Sequence, residues 1–272
     1  MKPENRNPIL TEEINLQATK GLYSFFCKST TQLFIIALAI LQGLAGKLSV
    51  VGEKARALVN CLWIVNHNSN KLEGISSISS SVHDNILCKR WRELKGCICE
   101  KCYAYNQQSY QTGLKEHNII NGIILRNVLI PVCAFKLLKI FYPYLRIESF
   151  GDVQNVIQAR NYVRIIKAFP EKRCAIWTKN YALYHIAFIA EGGKPANTTF
   201  VISSPYINKP IAKTILESYP EIDHIFTVYT KAYAKKHNIT INCGGRKCME
   251  CIKAHKACYY RNTELYINEL KK

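Results

Sequence analysis

Two short stretches hold eight of the twelve cysteines, spaced as metal ligands are. The later stretch, INCGGRKCMECIKAHKAC (241–258), sets Cys243, Cys248, Cys251 and Cys258 in a C-x4-C-x2-C-x6-C pattern. Four thiolates satisfy tetrahedral zinc, and they equally satisfy a [4Fe–4S] or [2Fe–2S] cluster. The Cys-x-x-Cys step lets two sulfurs converge on one ion, while Gly244 and Gly245 let the backbone wrap closely. His255 could replace one thiol, although four make that unnecessary. Arg246, Lys247, Lys253 and Lys256 would offset the negative charge of such a centre.

The earlier stretch, CKRWRELKGCICEKCYAY (88–105), offers Cys88, Cys97, Cys99 and Cys102. Cys99 and Cys102 form the converging pair, with Cys88 as third ligand. Cys97 is a fourth ligand or a bystander, because in an extended segment it and Cys99 point to opposite faces. Three protein ligands leave one coordination position open, which distinguishes catalytic metal sites from structural ones. Cys27, Cys61, Cys133 and Cys174 stand singly among apolar neighbours and read as packing residues.

The elements that must position these thiols follow a rhythm from about residue 144. YLRIESF (144–150), CAIWT (174–178), TTFVISS (198–204), HIFTVYT (224–230) and ITINC (239–243) are strand-like. Between them run the helical patterns VQNVIQARNYVRIIKAF, NYALYHIAFIAEG, PIAKTILESY and KAYAKKH. Short apolar strands alternating with helices imply parallel βαβ units, hence an α/β fold. The expected architecture is a partial or distorted (β/α) barrel or a parallel, doubly wound sheet. Both place ligands beyond the carboxyl ends of the strands. Those ends carry Glu148, Gly151 and Asp152, then Trp177, Thr178 and Lys179, then Ser203 and Ser204, then Tyr229 and Thr230, and finally Cys243. Glu148, Asp152, Thr178 and Lys179 are the expected catalytic or pocket residues; Ser203 and Ser204 are expected to contact a cofactor.

Ahead of this rhythm, residues 1–62 read as a helical extension and 63–272 as the α/β domain. The stretch 66–82 is Ser/Asn-rich and reads as a loop. YNQQSYQTGLKEHNIINGIILRNVLIP looks helical until Pro131. The apolar run at 33–46 has only nine unbroken apolar residues before Gln42. A spanning helix needs about twenty, so a buried helix or an interfacial anchor is expected, and a cytoplasmic chain without a transmembrane span. Cysteines clustered in tight pairs suit metal in a reducing compartment better than a disulfide framework.

The chain of 272 residues carries a formal charge of +18. That excess favours polyanions, above all nucleic acid. Residues 231–272 hold ten Lys/Arg against three Glu, with Tyr233, Tyr259, Tyr260 and Tyr266 available to stack on bases. The bland alternative for those tyrosines is packing. Phosphate-binding loops, Gly-x-Gly-x-x-Gly, Gly-x-Ser-x-Gly and His-Glu-x-x-His are all missing. EGGKP (191–195) follows a helical pattern and reads as a glycine helix stop.

The fragments NHNSNKLEGISSIS, CEKCYA, LRIESFGDVQN, AIWTKN, SSPYIN, FTVYTKAY and INCGGRKCMEC, in that order, resemble the phage and bacterial gene product 88 family over about residues 63 to 270. That family belongs to phages and other mobile elements and has no established activity. The resemblance implies that Cys88, Cys99, Cys102, Cys243, Cys248 and Cys251 are part of its shared pattern, whereas Cys97 and the late Cys258 depart from it. CEKCYA also looks like phage proteins akin to radical S-adenosylmethionine enzymes, although their C-x3-C-x2-C spacing is missing. That second likeness implies a [4Fe–4S] cluster, with S-adenosylmethionine at the free iron. Two function classes therefore stand. One is an iron–sulfur, redox or radical-type enzyme; the other is a zinc-stabilised nucleic-acid-binding accessory protein. A third, weaker reading is a membrane-surface protein anchored through 33–46.

Overall fold

The computed structural model describes residues 52–244, 247–255, 258–261 and 263–271. The apolar run at 33–46 and Cys27 lie outside them. Six strands form one sheet: β1 (Ser76–Ile78), β2 (Tyr144–Ile147), β3 (Arg173–Thr178), β4 (Thr198–Ser203), β5 (His224–Tyr229) and β6 (Tyr266–Leu270). All five pairings are parallel, and the spatial order is the sequence order. The fold is α/β with the connectivity of an open (β/α) barrel. No reversal of strand order occurs, so a doubly wound sheet with its switch point is ruled out.

The described helices are α1 (Glu53–Asn60), α2 (Ile86–Glu93), α3 (Tyr103–Tyr110), α4 (Thr112–Asn127), α5 (Val132–Phe135), α6 (Val156–Ala168), α7 (Tyr181–Ala190), α8 (Ile215–Ser218), α9 (Lys231–Lys236) and α10 (Cys248–Lys253). Right-handed crossovers in an unbroken order keep connecting helices on one face. Strand alternation sorts residues accordingly. Leu145, Ile147, Ile176, Phe200 and Ile202 join Tyr162, Ile166, Tyr184 and Phe188 of α6 and α7 in the main core. Ala55, Leu58 and Val59 of α1 belong to that same core. The opposite, inner face carries Arg146, Trp177, Val201, Phe226 and Ile267, which alternate with the core residues along their strands.

Several sequence expectations need correction. ITINC is not a strand; only Cys243 bridges to Glu269. The Asn242 and Asn268 side chains make contacts that a backbone ladder would otherwise make, and the last strand is β6. The Ser/Asn-rich stretch contains β1, whose short polar strand is held by side chains: Ser76 Oγ donates to Asn66, and Asn68 Nδ2 donates to the Ile75 carbonyl. The helical pattern at 210–219 shrinks to α8. The pattern from 105 to 131 is divided between α3 and α4. Cys133 is exposed rather than packed, whereas Cys174 is buried. Among the described residues no helix is long and apolar enough to cross a membrane.

Candidate metal centres

The carboxyl ends of β1–β3 are tied together by two buried acids. Glu148 accepts from Ser80 N (2.9 Å), Ser80 Oγ (2.7 Å), Tyr162 OH (2.8 Å) and Gln158 Nε2 (3.2 Å). Burial pushes its carboxyl up to about 8 despite these donors. Its backbone is left-handed, with φ 54°. At Gly151, φ 76°, an added Cβ would lie 2.6 Å from Ser80 Oγ and 2.7 Å from Ser80 O, so glycine is required there. Asp152 accepts from Thr178 Oγ1 (2.5 Å), Lys179 N (2.9 Å) and Val153 N (2.9 Å). Burial raises its carboxyl, with the Lys179 charge opposing.

The first thiol group is hung from this frame. Asn85 caps α2 by accepting from Leu87 N and Cys88 N, both at 3.0 Å, and its amide donates to the Asp152 carbonyl. One side chain thus links Cys88 to Asp152. Tyr103, which follows Cys102, donates to Ser149 O at 2.9 Å. Ile98 N donates to Pro205 O, which fixes the Cys97–Cys99 turn over the end of β4. Cys97 Sγ accepts from Cys99 N at 3.4 Å.

Lys179, half-buried, is the charge these thiols share. Burial opposes its ammonium, but Cys99, Asp152 and Cys88 outweigh that and raise it. The Cys97 thiol, hydrogen-bonded to Cys99, lowers Cys99; burial opposes, and Lys179 lowers it further. Cys97 is raised by that same bond and by burial. Burial raises Cys88 and Cys102.

The second thiol group crosses the inner face of the sheet. Cys248 and Cys258 pack with Ile75, Ala175, Ile252, Tyr259 and Trp177. Cys243 and Cys258 also touch the Val201–Phe226–Val228–Ile267 cluster, as does Ile98 from the first stretch. The two stretches therefore share one apolar floor. Lys71 Nζ lies 3.5 Å from Cys243 Sγ and 2.9 Å from Glu269. Burial raises Cys243 and Cys248 and pushes Cys258 up to about 12, with Lys71 or Arg146 opposing.

No family model, curated protein or solved structure matches the chain. Among the described residues, no three His, Cys, Asp or Glu side chains are grouped closely enough to hold a metal ion. The donor chemistry fits a thiolate-bound metal, since all eight cysteines carry free thiols and cations stand beside both groups. The placement of the thiols does not by itself form a ligand set.

Other expected residues have structural partners. Ser204 Oγ bonds the Lys209 and Tyr206 carbonyls and braces its loop, while Ser203 is buried at the end of β4. Thr230 caps α9 by accepting from Tyr233 N. Tyr259 is buried, Tyr266 packs on the main core, and Tyr233 stacks between Tyr229 and His237. His255 is exposed and tilts against Tyr260. In EGGKP, Gly193 N donates to Phe188 O at 2.7 Å, which closes α7, and Glu191 pairs with Arg160 and Arg164.

Sequence reasoning missed Ser80, Asn85, Lys71, Tyr103 and Arg146. Arg146 had a legible signal: it is a charge between the buried Leu145 and Ile147, so strand alternation aims it at the inner face.

Proposed function

We propose that the chain is a thiolate-ligated metal protein, with iron–sulfur as the favoured centre, and that it serves a redox or radical-type reaction for a phage or other mobile element. Cys88, Cys99 and Cys102 would hold the reactive centre, and Cys243, Cys248, Cys251 and Cys258 an auxiliary one. The observation that carries this reading is that two sequence-distant stretches with free cysteines border one side of a parallel sheet, where Ile98 of the first and Cys243 and Cys258 of the second touch the same apolar cluster. The first group lies at the carboxyl edge, where (β/α) folds place their chemistry. An iron–sulfur centre would supply one-electron transfer.

The protein's own side chains have definable parts in this reading. Lys179 sets the charge balance of the first group, as Lys71 and Arg146 do for the second. Asp152, through its carbonyl and Asn85, orients the end of α2 that carries Cys88. Glu148 uses both oxygens inside the fold, so its part is to hold β1 against β2 and α6. The resemblance to the gene product 88 family points to the same six cysteines and to a mobile-element setting. Whether S-adenosylmethionine accompanies the cluster is tested by equilibrium binding to the anaerobic protein.

The second reading, structural zinc in a nucleic-acid-binding accessory protein, draws on the charge of +18. Anaerobic purification with iron, sulfide and zinc analysis separates the two. A brown protein bleached by dithionite supports the first reading. Colourless protein with stoichiometric zinc, whose binding to random DNA weakens steeply with salt, supports the second. Protein without metal sinks both.

A further inference from the structure

On the inner face Arg146 has no carboxylate partner; the acidic groups near it are the thiols of Cys248 and Cys258. The Arg146 side chain makes no ion pair and no hydrogen bond among the described residues, and its Nε is buried without a partner. A buried guanidinium N–H is ordinarily paired, because an unsatisfied donor in a protein interior is costly. Its guanidinium carbon sits 3.9 Å from the centre of the Trp177 ring. That stacking covers one face of the fork and leaves its N–H edge for a planar or tetrahedral oxyanion. Two further polar atoms on this side are equally unsatisfied: Trp177 Nε1 and the hydroxyl of Tyr259, a residue only 6 % exposed.

Arg146 is flanked across the sheet by Ser77 and Ala175, the smallest side chains in this part of the inner face. Arg146 and Trp177 are half-buried and reachable by solvent. Lys71 is already paired with Glu269, and among the described residues no carboxylate faces Arg146 within ion-pair distance.

We propose that Arg146, stacked on Trp177, is an oxyanion-binding site on the inner face of the sheet, between the two thiol groups, and that it takes the carboxylate or phosphate of a small-molecule ligand. This goes beyond the metal reading and does not depend on it, since no cysteine takes part in binding the anion. The two sources of the oxyanion differ in shape. A carboxylate matches the planar fork in bidentate fashion, whereas phosphate brings a third oxygen toward the tryptophan.

The test titrates inorganic phosphate, and separately malonate, into the anaerobically purified full chain, following tryptophan fluorescence and thermal midpoint, with sodium chloride at equal ionic strength as the blank. The expected result is a saturable response to one or both probes, the tighter one naming the source. Arg146→Met should weaken that binding about tenfold or more, since charge-assisted bonds to a guanidinium are among the strongest. Arg146→Lys, which keeps the charge and serves where the methionine variant does not fold, should weaken it less but measurably. Arg173→Met is the control, because Arg173 lies 4.7 Å over Tyr260 and is exposed; it should bind as the parent does. Metal content is read on the same samples. Absence of a saturable response in the parent protein overturns the proposal. So does unchanged binding in both Arg146 variants, including the case where they lose metal, which would make Arg146 only a counter-ion of the thiolates.

Discussion

Cys99 accepts a hydrogen bond from a neighbouring thiol and lies beside the Lys179 ammonium, whereas Cys258 is enclosed by Trp177, Tyr259 and the apolar floor of the sheet. The same residue type thus meets opposite environments within one side of one fold. At Cys99 charge and hydrogen bonds outweigh burial and the thiol is drawn toward its thiolate, whereas its neighbours Cys88, Cys97 and Cys102 are raised. On the inner face burial dominates, and Cys243, Cys248 and Cys258 are all raised. A thiol such as Cys99 that already favours its thiolate is suited to reactive chemistry. A group kept neutral until something binds is suited to holding structure.

The backbone supports of the two regions differ too, and this gives the largest expected effect. Gly151→Ala places a methyl against Ser80 in a left-handed backbone. It should cost about 3 kcal/mol, lowering the thermal midpoint by roughly 10 °C. Gly244→Ala, beside the second group, meets only the Glu269 side chain, 3.5 Å away. It should cost about 1 kcal/mol, mostly from its φ of 110°. Equal losses in calorimetry would erase the contrast between the two frames.

Glu148 gives the next test. Its carboxyl is raised to about 8 in the folded chain, above the ordinary value of 4.5. The native state therefore binds a proton that the unfolded chain releases between those values. The stability this contributes is full below pH 4.5 and is lost as pH rises through 8. Denaturant unfolding across pH 4.5–8 should show that decline, and Glu148→Gln should flatten it. A decline of the same size in the variant would move the effect to another group.

A smaller effect distinguishes the thiols directly. At about pH 7 iodoacetamide should modify Cys99 about tenfold faster than Cys258 in metal-free protein, and Lys179→Met should narrow the gap. Peptide mapping reads this, and uniform labelling would contradict it. The smallest effect is expected at Lys247, whose pair with Glu73 at 2.6 Å lies at the surface beside the second group. Lys247→Ala should leave the thermal midpoint unchanged.

The sequence makes β2–β5 legible because buried parallel strands are short apolar runs between helical patterns. β1 escapes that reading because Ser76 and Ser77 are buried through hydrogen bonds rather than by apolar side chains. β6 is missed because YINEL is polar on its outer edge, while the neighbouring ITINC imitates a strand. At the site, motif spacing marks the cysteines and the strand ends mark Asp152 and Lys179. What spacing does not carry is that Lys179 stands among the thiols, or that Asn85 binds α2 to Asp152. Both depend on how the loops after β1, β2 and β3 converge.

The most direct test of a thiolate-bound centre is the metal and sulfide content of anaerobically purified protein, compared with Cys99→Ser/Cys102→Ser and Cys248→Ser/Cys251→Ser variants. Iron and sulfide are expected in the parent, with each double variant losing its own share while keeping the circular dichroism of the folded sheet. Parent protein with no bound metal, and with every cysteine of both groups titrating as a thiol, would contradict it.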